Sequence, residues 1–379
     1  VPIIISITTF ALKIKAMVPL IVKPAGRIPS LRWLILLIAS AICVSASSGK
    51  KSGNADTFIA NGQMPNITTD KTKNIHLVFG NKDSILYSVS SDLGASFSKP
   101  TLVAVVPGLA ASHTRGPQIA ATSTGVIITA GNEQGNIFSF FKSYSGTWTK
   151  GARVNDRDTT AKENLMALAA DGQYAFAVWL DLRNDKHNKI FGAKTTDNGK
   201  TWSKNILIYA SPDKTVCECC KPSVAIDGNN VYVMFRNWIN GNRDLYLIQS
   251  TNGGRTFGEA KKLGKESWAL NGCPMDGGGI SISNGIPQTV WNSKGTIYAY
   301  QPNGKEQKLG EGRSCTMASI NGKNIYAWVE KGDIIALTPN GLKKNLGKGQ
   351  LPLIKTIDNG HAICIWENEK QIHKSIIDL

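Results

Sequence analysis

The chain is 379 residues long, with 42 % hydrophobic and 18 % charged residues, 37 glycines and a formal net charge of +16. That composition belongs to a globular protein and excludes a disordered or fibrous one. Long amphipathic helical patterns, basic helices and nucleic-acid motifs are all missing, so helical bundles and nucleic-acid binders are set aside.

Residues 1–46 carry Lys13, Lys15, Lys23, Arg27 and Arg32 and no acid. The apolar run "WLILLIASAICV" that follows Arg32 is short of the ~20 residues a membrane span needs. "VSA" then offers the small residues a signal peptidase reads. The segment is expected to be a secretory signal peptide cut after Ala46, with Met17 as an alternative start. No stable membrane span should remain after cleavage. Loss of the leader takes the net charge to +11, and the expected location is periplasmic or extracellular. A basic exported protein suits anionic partners such as acidic glycans.

From residue 60 onward the chain repeats. Each unit is a short apolar strand, a Gly-containing turn, a second strand, a polar loop and a third strand. Seven units are legible, beginning at Met64, Gly116, Asn164, Lys221, Gly277, Cys315 and Leu351. Asp171-Gly172, Asp227-Gly228, Asn284-Gly285, Asn321-Gly322 and Asn359-Gly360 sit between first and second strands. Asx-Gly is the strongest short hairpin signal, because both turn positions need positive φ. The expected fold is all-β, a β-propeller of four-stranded antiparallel blades. Residues 47–59 read as a linker, and "ADTFIA" (55–60) as the strand that completes the last blade and closes the ring.

Three third-to-fourth strand turns share a signature. "SSDLGASF" (90–97) and "TTDNGKTW" (195–202) read S/T-x-D-x-G-x-x-F/W, and "STNGGRTF" (250–257) carries Asn252 for Asp. "KSYSGTW", "QPNG" and "TPNG" look like eroded copies. Asp or Asn can accept N–H bonds across its own turn, and Gly supplies a left-handed position. These motifs are Asp-boxes, and over roughly residues 60–379 the chain resembles the sialidase-like (BNR-repeat) β-propellers. The motif itself is structural and normally lies away from the ligand face. The resemblance implies glycoside hydrolase chemistry of the exo-sialidase type, although sialidases have six blades.

Propeller topology brings innermost-strand starts and second-to-third strand loops to one face. That face should gather His113, Arg115, Glu163, the "CECCK" cluster, Cys273, Asp276, Arg313 and Cys315, with Asp181, Arg183, Arg236, Trp238 and Arg243 from the two longest loops. Sialidases hold the sugar carboxylate with three arginines and use a Tyr–Glu nucleophile with an Asp acid/base. By resemblance Arg115 in "TRGP" looks like the first of those arginines, Arg236 or Arg243 like the second, and Arg313 like a third. Asp181 resembles the acid/base, and Glu163 is the second candidate catalytic carboxylate. Arg183, Trp238 and Asp276 are further candidate substrate contacts.

Seven cysteines occur, and Cys43 leaves with the leader. Cys364 sits in the strand "HAICIW" and reads as a core thiol. Cys217, Cys219, Cys220, Cys273 and Cys315 fall at innermost-strand starts of three consecutive units. Export permits disulfides, with Cys217 or Cys219 to Cys273 and Cys220 to Cys315 as the pairings that fit. The alternative is a soft-metal site for copper or zinc, helped by Met275 or His113. Otherwise no cofactor is expected. Three functions stay open: a monomeric exported sialidase-like hydrolase of acidic glycans or sialosides, a non-catalytic binding or assembly propeller, and a thiol-metal protein.

Overall fold

The computed structural model describes residues 57–300 and 305–379. The expected leader, most of the linker and the "QPNG" turn lie outside the described residues. The described residues form seven four-stranded antiparallel sheets and no helix. The blades span residues 63–105, 118–150, 166–209, 223–262, 279–311 and 313–348, then 350–378 completed by Thr57–Asn61. The fold is therefore a seven-bladed propeller, and the six-bladed alternative is excluded.

Burial grades outward from the axis. Second strands are buried almost throughout, as in Gly125–Gly131 and Tyr174–Asp181, because both faces of each sheet lie against a neighbouring blade. An outermost strand such as Thr101–Val105 is mostly exposed. The core is a circle of inter-blade clusters. One joins Phe176, Val178 and Leu180 of blade 3 to Val231, Val233 and Phe235 of blade 4. Another joins Leu77 and Phe79 of blade 1 to Ile363, Ile365 and Ile372 of blade 7.

The ring closes as the sequence suggested, two residues further on at its start. Thr57–Asn61 pairs antiparallel with Gln371–Asp378 and becomes the outermost strand of blade 7. Met64 N–H donates to Glu367 at 2.8 Å, a second tie between the two ends.

The three signature turns share one plan. Ser90, Thr195 and Ser250 each donate from the hydroxyl to the side chain two residues on, Asp92, Asp197 and Asn252. The same hydroxyls accept the N–H of Gly94, Gly199 and Gly254 at 2.9 Å. Thr338 and Asn340 repeat the side-chain pair in "TPNG". The turns are wedges between blades, because the aromatic at the end of each packs into a cluster shared with its neighbour. Phe97, Trp202 and Phe257 do so, and Phe257 lies 6.0 Å from the Phe176 ring of blade 3.

Gly254 shows how tight the wedge is. Its φ is +73°, and a Cβ there would sit 2.3 Å from Phe176. A left-handed non-Gly residue costs roughly 1–2 kcal/mol, and overpacking costs about 1–3 kcal/mol more. Gly254→Ala is expected to lose about 2–5 kcal/mol of stability in urea unfolding, whereas Gly228→Ala, with no atom within 4 Å of its would-be Cβ, should show the backbone cost alone.

Candidate functional site

All seven innermost strands face a central channel of about 290 Å³. Six blades enter their innermost strand through a left-handed residue that is not glycine: Met64, Thr114, Asn164, Met275, Ser314 and Leu351, with φ between 50° and 70°. At blades 1, 6 and 7 the register shifts at that point, the mark of a β-bulge. Bulges re-aim side chains, and strained backbone persists where the surroundings over-determine it. Five of these six left-handed residues line the channel.

Small and apolar residues such as Ala120, Ala167, Ala169, Gly279 and Ile354 line the channel, but more of its exposed surface is polar than apolar. Two lysines stand in that wall. Lys221 enters at the start of blade 4, and its ammonium donates to Gln118 Oε1 at 2.7 Å. Gln118 also accepts from Asn66 at 3.1 Å and anchors its own amide on the Gly116 carbonyl. Lys355 comes from Gln350–Thr356 of blade 7 and has no hydrogen-bond or ion-pair partner among the described residues. Its surface still reaches water inside the channel, although protein surrounds it. Burial pushes both lysines down, and the charge of Lys355 adds to the effect on Lys221, which falls to about 8. Neither lysine has a carboxylate in salt-bridge contact among the described residues.

Asp276 also lines the channel. It is buried, and accepts from the backbone of Gly278 at 3.2 Å and of Ser314 at 2.7 Å. Burial pushes its carboxyl up, against the pull of Arg236 and of those N–H groups.

The expected arginines do not converge. Arg236 is fully buried and donates from all three guanidinium nitrogens to main-chain carbonyls, those of Asp276, Arg243 and Asn292. Its guanidinium lies 5.3 Å from the Trp268 ring. Arg243 packs over Trp238 at 4.9 Å and points Nη1 at Cys217 Sγ, 3.1 Å away. Arg183 makes a two-point ion pair with Asp181 and another bond to Asp156. These three arginines brace loops, and a guanidinium already committed to such a frame is not free to grip a sugar. Arg115 and Arg313 stay accessible, but in separate hollows of about 430 and 570 Å³. Arg115 is half-buried and pairs with Glu163 at 3.2 Å.

Asp181, expected as the acid/base, is held in a closed ion pair. It is wholly buried and accepts from Arg183, Trp179 Nε1 and Thr160 Oγ1. Burial would raise its pKa, but the hydrogen bonds from Arg183 and Trp179 outweigh that and hold it below the usual carboxylate range. That environment favours the ionised form of Asp181. No tyrosine lines the channel among the described residues.

The cysteines do gather. Cys219 and Cys273 form a disulfide between the blade 4 and blade 5 entries. Cys217 Sγ lies 3.7 Å from Cys219 Sγ and 3.4 Å from Cys220 Sγ. Cys220 and Cys315 are both free and buried, so that expected bridge is not made. Cys315 lines the channel instead, and Cys364 is a core thiol of blade 7. The hydrogen bond with Cys220, helped by Arg243, pushes the Cys217 thiol down, while burial pushes Cys220 up.

No family model matches the chain, and no curated protein matches it. Solved structures do. The BP39L lectin from Burkholderia pseudomallei superposes with a TM-score of 0.57 at 11 % identity, covering 85 % of this chain and 97 % of the lectin. A PL25 ulvan lyase bound to GlcA(1-4)Rha3S superposes with a TM-score of 0.51 at 10 % identity, covering 86 % of this chain and 95 % of the lyase. NanB sialidase from Streptococcus pneumoniae matches more loosely, with a TM-score of 0.40 at 12 % identity over 88 % of this chain and 69 % of that one. The chain is a β-propeller, and likeness at these identities shows the fold alone.

Sequence reasoning passed over the channel lysines. Lys221 was visible at the end of "CECCK". Lys355 carried a usable signal, since it is the one lysine within the seven innermost strands.

The buried Asp181–Arg183 pair gives a stability test. Asp181 has a depressed folded-state pKa, so its contribution is present above the unfolded value of about 3.9 and is lost as pH falls through the folded one. Removing one partner of a buried pair costs about 3–5 kcal/mol. Arg183→Met should lose that much at pH 7 in denaturant unfolding, and the deficit should shrink below about pH 4 as Asp181 takes up its proton.

Proposed function

We propose that this protein is an exported binding propeller for acidic glycans, with the anionic group held in the channel by Lys221 and Lys355. The observation that carries the reading is the two lysine ammoniums in one channel without a carboxylate partner. A carboxylate or sulfate there would gain charge-assisted bonds from both and relieve their mutual repulsion. The channel, at about 290 Å³, is at the small end of ligand sites, which fits one terminal sugar unit and not a long chain. Asn66, half-buried in the channel wall, supplies a neutral hydrogen-bonding partner for a sugar hydroxyl, and Gln118 holds Lys221 in place. The net charge of +11 expected after loss of the leader favours approach of anionic ligands. Proteins of the same fold include a lectin and a lyase bound to a glucuronate-containing sulfated glycan. Binding is favoured over sialoside hydrolysis because Asp181 is sealed in its ion pair and no tyrosine among the described residues lines the channel.

Calorimetric titration with uronate-bearing, sulfated and neutral oligosaccharides tests this. The acidic ones should bind and the neutral ones should not. Each charge-assisted bond is worth about 1.5–3 kcal/mol, so Lys221→Met should weaken binding about 10- to 100-fold. Binding should also fall as pH rises from 7 to 9, because Lys221 loses its proton near 8. Equal affinity for neutral sugars, or a Lys221→Met/Lys355→Met double variant that binds like the parent, would defeat the proposal.

A further inference from the structure

The rim of the channel carries a cluster that glycan binding does not use. Among the described residues, the ligand sulfurs of Cys217, Cys219 and Cys220 all lie within 4.8 Å of one another. Two of the three separations are 3.4 and 3.7 Å. Thiolates bound to one tetrahedral zinc at about 2.3 Å stand about 3.8 Å apart, and a trigonal copper(I) site spreads them only slightly more. The sulfurs are therefore already spaced as a ligand set. Cys217 and Cys220 are buried and free, whereas Cys219 is tied to Cys273, whose residue is exposed on the rim.

The surroundings fit a metal–thiolate complex better than a bare cation. Three or four thiolates around a monovalent or divalent ion leave an anionic complex. Arg243 Nη1, 3.1 Å from Cys217 Sγ, faces that charge and is itself fixed over Trp238. Arg236 reinforces the frame from the other side, its carbonyl accepting the Cys217 N–H at 3.1 Å. Such outer contacts orient ligands and tune their donor strength.

We propose that Cys217, Cys219 and Cys220 form a redox-gated site for one thiophilic d10 cation, copper(I) or zinc(II), with Cys273 as fourth ligand. The Cys219–Cys273 disulfide is the closed form. A dithiol reductant opens it: the S–S bond breaks, two electrons and two protons pass to Cys219 and Cys273, and the reductant leaves as its own disulfide. The cation then enters, and the ligating thiols release their protons to solvent. Cys315 and Cys364 stay outside the set. The site is independent of the channel lysines, so it stands or falls apart from the glycan reading.

The test uses the full chain, reduced with a phosphine under anaerobic conditions and then titrated with zinc(II) in one arm and copper(I) in the other. Reduced protein should bind one ion per chain with a thiolate-to-metal absorption band, and oxidised protein should bind at least 100-fold more weakly. Cys217→Ser/Cys220→Ser should abolish binding, and Cys364→Ala should leave it unchanged. Circular dichroism melts establish that the variants fold. If the double variant does not, alkylation of the wild-type chain read by mass spectrometry decides, with metal expected to shield Cys217, Cys219, Cys220 and Cys273. No bound ion in the reduced protein, binding retained in the folded double variant, or shielding confined to other cysteines would overturn the proposal.

Discussion

Each blade of this protein has two apolar faces and can cover neither alone. That constraint determines the rest. Sheets such as Tyr174–Asp181 with its neighbours must be flanked on both sides, and the only arrangement that flanks every sheet is a closed ring. The last gap is filled when Thr57–Asn61 pairs with Gln371–Asp378. Closure turns seven innermost strands toward one axis, and residues far apart in sequence then share a small volume. Lys221 and Lys355 meet there for that reason alone.

Within the ring, polar chemistry divides by radius. At the axis the lysines and Asn66 keep contact with water, while buried Gln118 has both its oxygen and its amide nitrogen engaged. One layer outward the loops over blades 3 and 4 bury Asp181, Arg183, Arg236 and Arg243, and there every charge is matched by a carboxylate, a carbonyl or an aromatic face. A buried guanidinium with its donors satisfied is a structural part, and its desolvation cost is met by the groups it ties together. The cysteine cluster lies at the boundary between these layers. It is tethered to the arginine frame through Cys217 and opens to the rim through Cys273.

The fold was legible in the sequence to a fine level, and the site was not. The unit starts, the Asx-Gly turns and the wedge motifs are local signals, because hairpins and Asx turns are set by neighbouring residues. Ring closure could be read since a final unit lacking a fourth strand demands one from elsewhere. Placement of charged side chains is a different kind of question. Arg115 and Arg236 both sit near the mouth, yet one is accessible beside Glu163 and the other is locked on three carbonyls. That difference depends on Asp276 and Asn292, 40 and 56 residues away in the chain, which no local motif encodes. The cysteines were half legible: topology brought Cys219 to Cys273, but left Cys220 and Cys315 as separate free thiols. Lys355 was readable in principle, as a lone cation within an otherwise apolar innermost strand.

The central claim is that the channel receives an anion between Lys221 and Lys355. A crystal structure of the protein soaked with a short uronate- or sulfate-bearing oligosaccharide tests it most directly. The account predicts density for the charged terminal sugar inside the channel, its acidic group within hydrogen-bonding distance of both ammoniums and a hydroxyl on Asn66. A sugar ordered in the Arg115–Glu163 hollow or over Arg313, with the channel left to water, would contradict it.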